Sequence, residues 1–308
     1  NFIKGAMVKD DFSLYHCYRN GDASINGLID DYAFLLKASI DLYEATLDSD
    51  YLKFGKNVCH KMINLFWDNT KGSFYATPIG SVDVIVRQKN LLDGAIPSGN
   101  SVALYGMVNI GQYFNDSSIL DKSNKLSLQL GEMAKKFPIN LTQFLSNHYS
   151  LLSENLQIVI LNKNKEPNLD DELIDYIVNF RHLNKSIFYI SSEYHKNIYM
   201  DILSTYDFIP ELTDKLQIFI CKDYSCQMPV SSLDEIKKVL NKQDNFKSQR
   251  FAEGGSKDLG DIQLFANNEE YFLSLIHISE PTRPERIGDG GFCVEKKNGG
   301  GGGGGGGG

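Results

Sequence analysis

Apolar residues recur with a helical period from Leu28 to Leu152, and near Asn155 that rhythm gives way to unbroken apolar runs. The two textures require different layers. A 3.6-residue period buries one stripe against another helix, whereas a run of five or six apolar residues fits a strand covered on both faces. Leu28, Tyr32, Leu35, Leu36, Ile40 and Tyr43 predict a first helix. Asp50 is expected to cap a second, with Leu52, Gly55, Cys59, Met62, Ile63 and Phe66 as its stripe. A third follows Pro97-Ser98-Gly99-Asn100 and packs through Val102, Ala103, Gly106, Ile110 and Tyr113. A fourth uses Leu126, Leu130, Met133 and Phe137, and a fifth uses Leu141, Phe144, Leu145, His148 and Leu152. Gly72–Pro78 reads as a short strand that Val84–Arg87 can pair with. Helix pairs joined by strand-bearing loops predict a partial α/α toroid or bundle over residues 1–154.

Residues 155–240 then alternate strand and helix. Leu156–Leu161, Ser186–Ile190 and Leu216–Cys221 are strands, and Glu172–Phe180 and Tyr194–Tyr206 are helices. A capping box, Ser232-x-x-Glu235, opens another helix over Leu233–Leu240. This order predicts a small parallel α/β layer. The fold class is therefore mostly α, then α/β. No glycine-rich loop follows Leu161 or Ile190, which argues against a nucleotide site. Residues 241–272 form a polar tail. Residues 273–308 are expected to belong to no fold: Leu273–Arg283 resembles a sequencing adapter read as protein, and Gly299–Gly308 is a poly-glycine tract with no fixed conformation. The chain opens at Asn1-Phe2-Ile3 without an initiator Met, and is expected to be a fragment truncated at both ends.

Composition narrows function mainly by exclusion. A net charge of −8 argues against a nucleic-acid partner, and no apolar run has the length of a membrane span. Five cysteines in 308 residues do not make a disulfide scaffold and fit a reducing, cytoplasmic setting. Cys221 and Cys226 are too far apart for a C-x-x-C site and read as buried structural thiols. No metal and no cofactor are expected.

Polar chemistry concentrates in two places. Arg87-Gln88-Lys89 and Asp93–Ser101 put a guanidinium, a carboxylate, an amide and hydroxyls into a glycine- and proline-fixed loop before a helix. Such a loop can present Arg87, Asp93, Ser98 and Asn100 to a ligand at a helix start, or the same residues can cap that helix. Gly27-Leu28-Ile29-Asp30-Asp31-Tyr32 is the second place. Asp31 lies along the apolar stripe and needs a partner or a solvated cavity, and its alternative is favourable placement near a helix start.

Tyr18-Arg19, Gly27–Thr46, Leu65–Asp68, Arg87–Ala103 and Cys221–Val230 occur in order, with DGAIPSGNS their most specific part. Together they resemble the thioredoxin-domain-containing proteins of the spermatogenesis-associated protein 20 type. The resemblance implies an N-terminal thioredoxin-like domain and a six-hairpin α/α toroid similar to those of glycosidases and N-acylglucosamine 2-epimerases. The thioredoxin-like domain and the first hairpins are expected to be absent from this fragment. Two functions follow as expectations. In a carbohydrate-active parent, Asp31 and Asp93 would be the acid/base pair. Arg87, Asp30, Ser98 and Asn100 would hold the sugar or other small molecule, and Tyr32 and Trp67 would stack on it. In the alternative, the toroid is a non-catalytic platform for the missing redox domain.

Overall fold

The computed structural model describes residues 2–240 apart from 83, 153–154, 207–210 and 223–224. The expected tail, 241–272, and the adapter and glycine segment, 273–308, lie outside the described residues. A short helix α1 (Phe2–Ala6) leads into a hairpin, β1 (Tyr15–Arg19) and β2 (Asp22–Asn26). Its turn is Asn20-Gly21, both with positive φ (53° and 93°), the pairing that a two-residue hairpin turn of matching twist requires.

Five helices follow: α2 (Ile29–Thr46), α3 (Ser49–Phe66), α4 (Gly99–Tyr113), α5 (Ser117–Ala134) and α6 (Thr142–Leu152). Most of the predicted stripe residues are buried, Leu36, Ile40, Leu52, Met62, Val102, Ile110, Leu126 and Leu130 among them, but Phe137 falls beyond the end of α5 and Leu152 at the end of α6, and both are exposed. Helix α4 packs against both α2 and α6, so it is buried on nearly every side. Gly106 allows the approach of α2, because a Cβ there would sit 2.4 Å from Leu36. Two details differ from expectation. The α3 cap is Asp48, whose carboxylate accepts from the Asp50 N–H, because the cap must precede the first helical residue. Ser73–Phe74 (β4) pairs with Trp67–Asp68 (β3), not with Val84–Arg87, because the Arg87 side chain straps that segment to the Leu65 and Thr77 carbonyls.

The second layer is a four-stranded sheet in the order β6-β5-β7-β8, formed by β5 (Leu156–Leu161), β6 (Lys185–Ile190), β7 (Gln217–Lys222) and β8 (Ser225–Cys226). Helix α7 (Glu172–Asn179) connects β5 to β6 as a parallel crossover. The sheet is mixed and not parallel, since β7 runs antiparallel to β5 and β8 antiparallel to β7. An apolar run has the same pattern in either direction, and among the described residues the β6–β7 link carries α8 (Glu193–Ile198) and α9 (Met200–Leu203) in place of one full helix. The break falls at Tyr199, whose buried ring packs on Phe188 and whose hydroxyl donates to that of Tyr43. Cys221 and Cys226 face each other across β7 and β8 and form a disulfide, not the expected free thiols. In the last helix, residues 233–240, Ser232 accepts from the Glu235 N–H as predicted, while Glu235 accepts from the Ser231 N–H one residue early.

The sheet is covered on both faces. Ile158, Ile160, Ile187 and Ile218 meet α7 and residues 233–240, whereas Val159, Leu161, Phe188 and Phe219 belong to the core of the helical layer. Tyr43 joins the two layers, donating to the Ile187 carbonyl at 2.6 Å.

Candidate functional site

Helices α2 and α4 begin against each other. The Ile29 N–H donates to the Ala76 carbonyl, and Gly99, first residue of α4, packs on Ile29 and Asp30. A Cβ at Gly99 would lie 2.2 Å from Asp30 Oδ1, so only glycine leaves room for that carboxyl. Asp30 Oδ1 is sealed from solvent and makes no hydrogen bond. Burial raises the Asp30 pKa, with Asp31 adding to the effect; the Gly99 N–H and His16 pull the other way.

Asp31 turns away from that contact. Its Oδ2 accepts from the Leu28 N–H at 2.7 Å, closing the first turn of α2, and lies 2.8 Å from His16 Nδ1 on β1. His16 is the partner that sequence reasoning missed, and the Asn20-Gly21 turn was the signal that could have placed its strand beside α2. Tyr32 is buried in the core. Its hydroxyl accepts from the Leu14 N–H and its ring meets Phe66 edge-on. Trp67 is half-buried, packed edge-on against Phe74.

The loop before α4 is tied to backbone throughout. Arg87 donates to the Thr77 and Leu65 carbonyls and stacks on the Tyr75 ring, 4.1 Å from its centroid. Asp93 accepts from the Ser98 N–H with one oxygen and from the Gln143 N–H of α6 with the other. Ser98 is the N-cap of α4 and accepts from the Ser101 N–H. Asn100, fully buried, accepts from the Phe74 N–H and donates to the Phe74 and Asn90 carbonyls, acting as a strand edge for β4. Lys89, outside the predicted set, reaches Asp68 at 2.6 Å and Ser73 at 2.9 Å. That contact holds the Asp68 carboxyl well below its ordinary range.

Asp30 and Asp93 therefore flank the start of α4, while the Asp31 carboxylate is engaged with His16 and its own helix start. The six large apolar side chains Ile79, Val82, Ile85, Val86, Leu92 and Ile96 of the same loop are exposed. No group of three or more His, Cys, Asp or Glu among the described residues could hold a metal ion. No described helix is long and apolar enough to cross a membrane.

Helix pairs backed by a mixed α/β layer, with a polar loop locked at a helix junction, define the class: a mostly α, then α/β chain. No family model matches it. The chain is 22% identical over 218 residues to human spermatogenesis-associated protein 20, covering 70% of this chain and 27% of that protein. It is 23% identical to the mouse protein of the same name over 216 residues, again 70% of this chain and 27% of the relative. An uncharacterized protein of Caenorhabditis elegans is 25% identical over 224 residues, 72% of this chain and 30% of its own length. The chain thus spans about a quarter of the curated relatives it matches.

Proposed function

We propose that this stretch is a non-catalytic platform within a longer protein, and that its loop Ile79–Ile96 seats the thioredoxin-like domain implied by the sequence resemblance. One observation carries this reading: the polar groups of Arg87, Asp93, Ser98 and Asn100 are spent on backbone, whereas six large apolar side chains of that loop point outward. Polar groups bonded in this way fix a loop's shape, and an exposed apolar patch marks a surface that another body covers. The test compares amide hydrogen exchange of residues 79–96 in this chain and in a full-length parent. Protection in the parent that Ile85→Glu abolishes supports a platform. Equal exchange in both overturns it.

A second reading has its own observation. The Asp30 carboxyl stands between two helix starts with one sealed oxygen that makes no hydrogen bond, which suits a carbohydrate-binding or carbohydrate-active toroid in which it would accept a sugar hydroxyl. Thermal-shift screening of the full-length parent against a sugar library tests it, because a ligand stabilises by mass action. A shift that Asp30→Asn removes supports it, and no shift with any sugar refutes it.

A further inference from the structure

Glu44 is a half-buried acid outside the motif loop. It lies in the fifth turn of α2, where the helical layer meets β6, and makes no hydrogen bond or ion pair with any described residue. Two clefts open onto it. A narrow one of about 110 Å³ runs along α4 and is lined by Tyr105, Asn109 and Gln112. A wider one of about 420 Å³ follows the connection from α7 to β6 past Asn179 and Arg181. Both are lined by Glu44, His182, Leu183 and Lys185, so the carboxyl stands at their junction.

The obvious counter-charge is committed elsewhere. Lys185 Nζ donates to the carbonyls of Ile177, Val178 and Phe180 at 3.1, 2.8 and 2.7 Å, where α7 ends. A cation belongs there, since the last carbonyls of a helix lack partners and carry partial negative charge. Other charged or titratable groups surround Glu44. On its own helix, Asp41 is paired with Lys37 at 2.7 Å. On α4, Tyr105 donates to Asp41, and Tyr113 lies deeper against β6. Arg181 and His182 line the wider cleft. Burial pushes the Glu44 carboxyl up to about 7; Asp41 adds to that, and Lys185 and Lys37 oppose it. A part-buried carboxylate without a hydrogen-bonded cation favours one supplied from outside.

We infer that the cleft at Glu44 binds a short primary amine in its protonated form. The ammonium would sit on the Glu44 carboxylate, and its remaining N–H groups would face the amide oxygens of Asn109 and Gln112. Asn109 uses its Nδ2 on the Tyr105 carbonyl, which leaves its Oδ1 to accept. Leu104 and Val108 line the same cleft and would cover the hydrocarbon part. An ammonium matches this arrangement better than a metal ion, which wants several oxygen ligands where the cleft offers one carboxylate.

The test is isothermal titration of the full chain with ethylamine and 1,4-diaminobutane, with ethanol and acetate as controls. Saturable binding of the amines alone is expected. Binding should weaken as pH falls through about 7, because protonating Glu44 removes the counter-charge. Near pH 7 the heat should vary with the buffer's ionisation enthalpy, since amine binding expels the carboxyl proton. Glu44→Gln should lower affinity at least tenfold. Gln112→Phe, which fills the cleft and keeps the carboxyl, should abolish binding. Ethanol binding as well as ethylamine, a flat pH profile, or unchanged affinity in Glu44→Gln would each overturn the proposal.

Discussion

Asn100→Ala is the sharpest test of whether the DGAIPSGNS segment is architecture. The native amide is fully buried and serves three backbone groups: the Phe74 N–H at 2.8 Å, the Phe74 carbonyl at 3.1 Å and the Asn90 carbonyl at 2.9 Å. Truncation strands all three in a site shielded from water. A buried group left without its partner costs about 1–3 kcal/mol, so three of them, partly relieved by relaxation, give about 4 kcal/mol. That is at the exceptional end of single substitutions. Asn100→Asp separates geometry from chemistry. It keeps the shape and the acceptor for Phe74, but turns two donors into a charge facing two carbonyls, so it should cost at least as much as alanine. The assay is urea unfolding followed by tyrosine fluorescence and circular dichroism, reading the midpoint at unchanged slope. A loss below about 1 kcal/mol for both variants would refute the reasoning, because no buried bonded network could be so cheap to break.

Four further outcomes are expected. Glu44→Gln should leave stability unchanged near pH 4 and raise it by about 3 kcal/mol above pH 7, at about 1.4 kcal/mol per pH unit for a carboxyl lifted from 4.5 to about 7. The sign follows because the folded state holds this proton more tightly, so the native chain loses stability as pH rises between those values; parallel pH profiles for the two proteins would contradict it. Gly99→Ala should cost about 1–3 kcal/mol by driving a Cβ into Asp30, and Asp30→Ala in the same chain should recover part of that in a double-mutant cycle. Cys221→Ser should cost about 2 kcal/mol under oxidising conditions, as expected for so short a loop, and the difference from wild type should shrink in excess reductant. A chain ending at Phe272 should melt at the same temperature as the full one, since Leu273–Gly308 is read from sequence as adapter and poly-glycine; a drop of several degrees would refute that reading.

The helices were legible because α2 and α3 each bury one face, and that face is written directly in the spacing of Leu36, Ile40, Leu52 and Met62. Strand direction was not. Val159 and Phe219 are buried alike whether β5 and β7 run together or opposed, so burial pattern carries no sign of direction. The hairpin from Tyr15 to Asn26 had a readable turn at Asn20-Gly21, but its strands alternate weakly, and the His16–Asp31 contact stayed hidden with it. The disulfide depended on register: Cys221 and Cys226 face each other only because β8 folds back on β7. Of the motif residues, the spacing located Arg87, Asp93, Ser98 and Asn100 at one helix start but could not say what they bond.

That ambiguity has a physical origin. A helix start presents unpaired N–H groups, and the side chains that satisfy them are the same short carboxylates, amides and hydroxyls that would bind a ligand there. What separates the two uses is whether any polar atom is left over. Asp93 has none, since its two oxygens serve two different helix starts. Asn100 is saturated as well, and Arg87 is committed to two carbonyls. Asp31 shares one oxygen between the Leu28 N–H and His16. Residual polar capacity lies also on Asp30 beside Gly99 and on Glu44 where the helices meet β6, both of them carboxyls raised by burial. An uncommitted acid that the fold holds out of water costs stability, and a ligand that completes it returns that cost as affinity. By that criterion Asp30 and Glu44, not the residues of the conspicuous loop, are where substitution should change what this chain binds more than how well it folds.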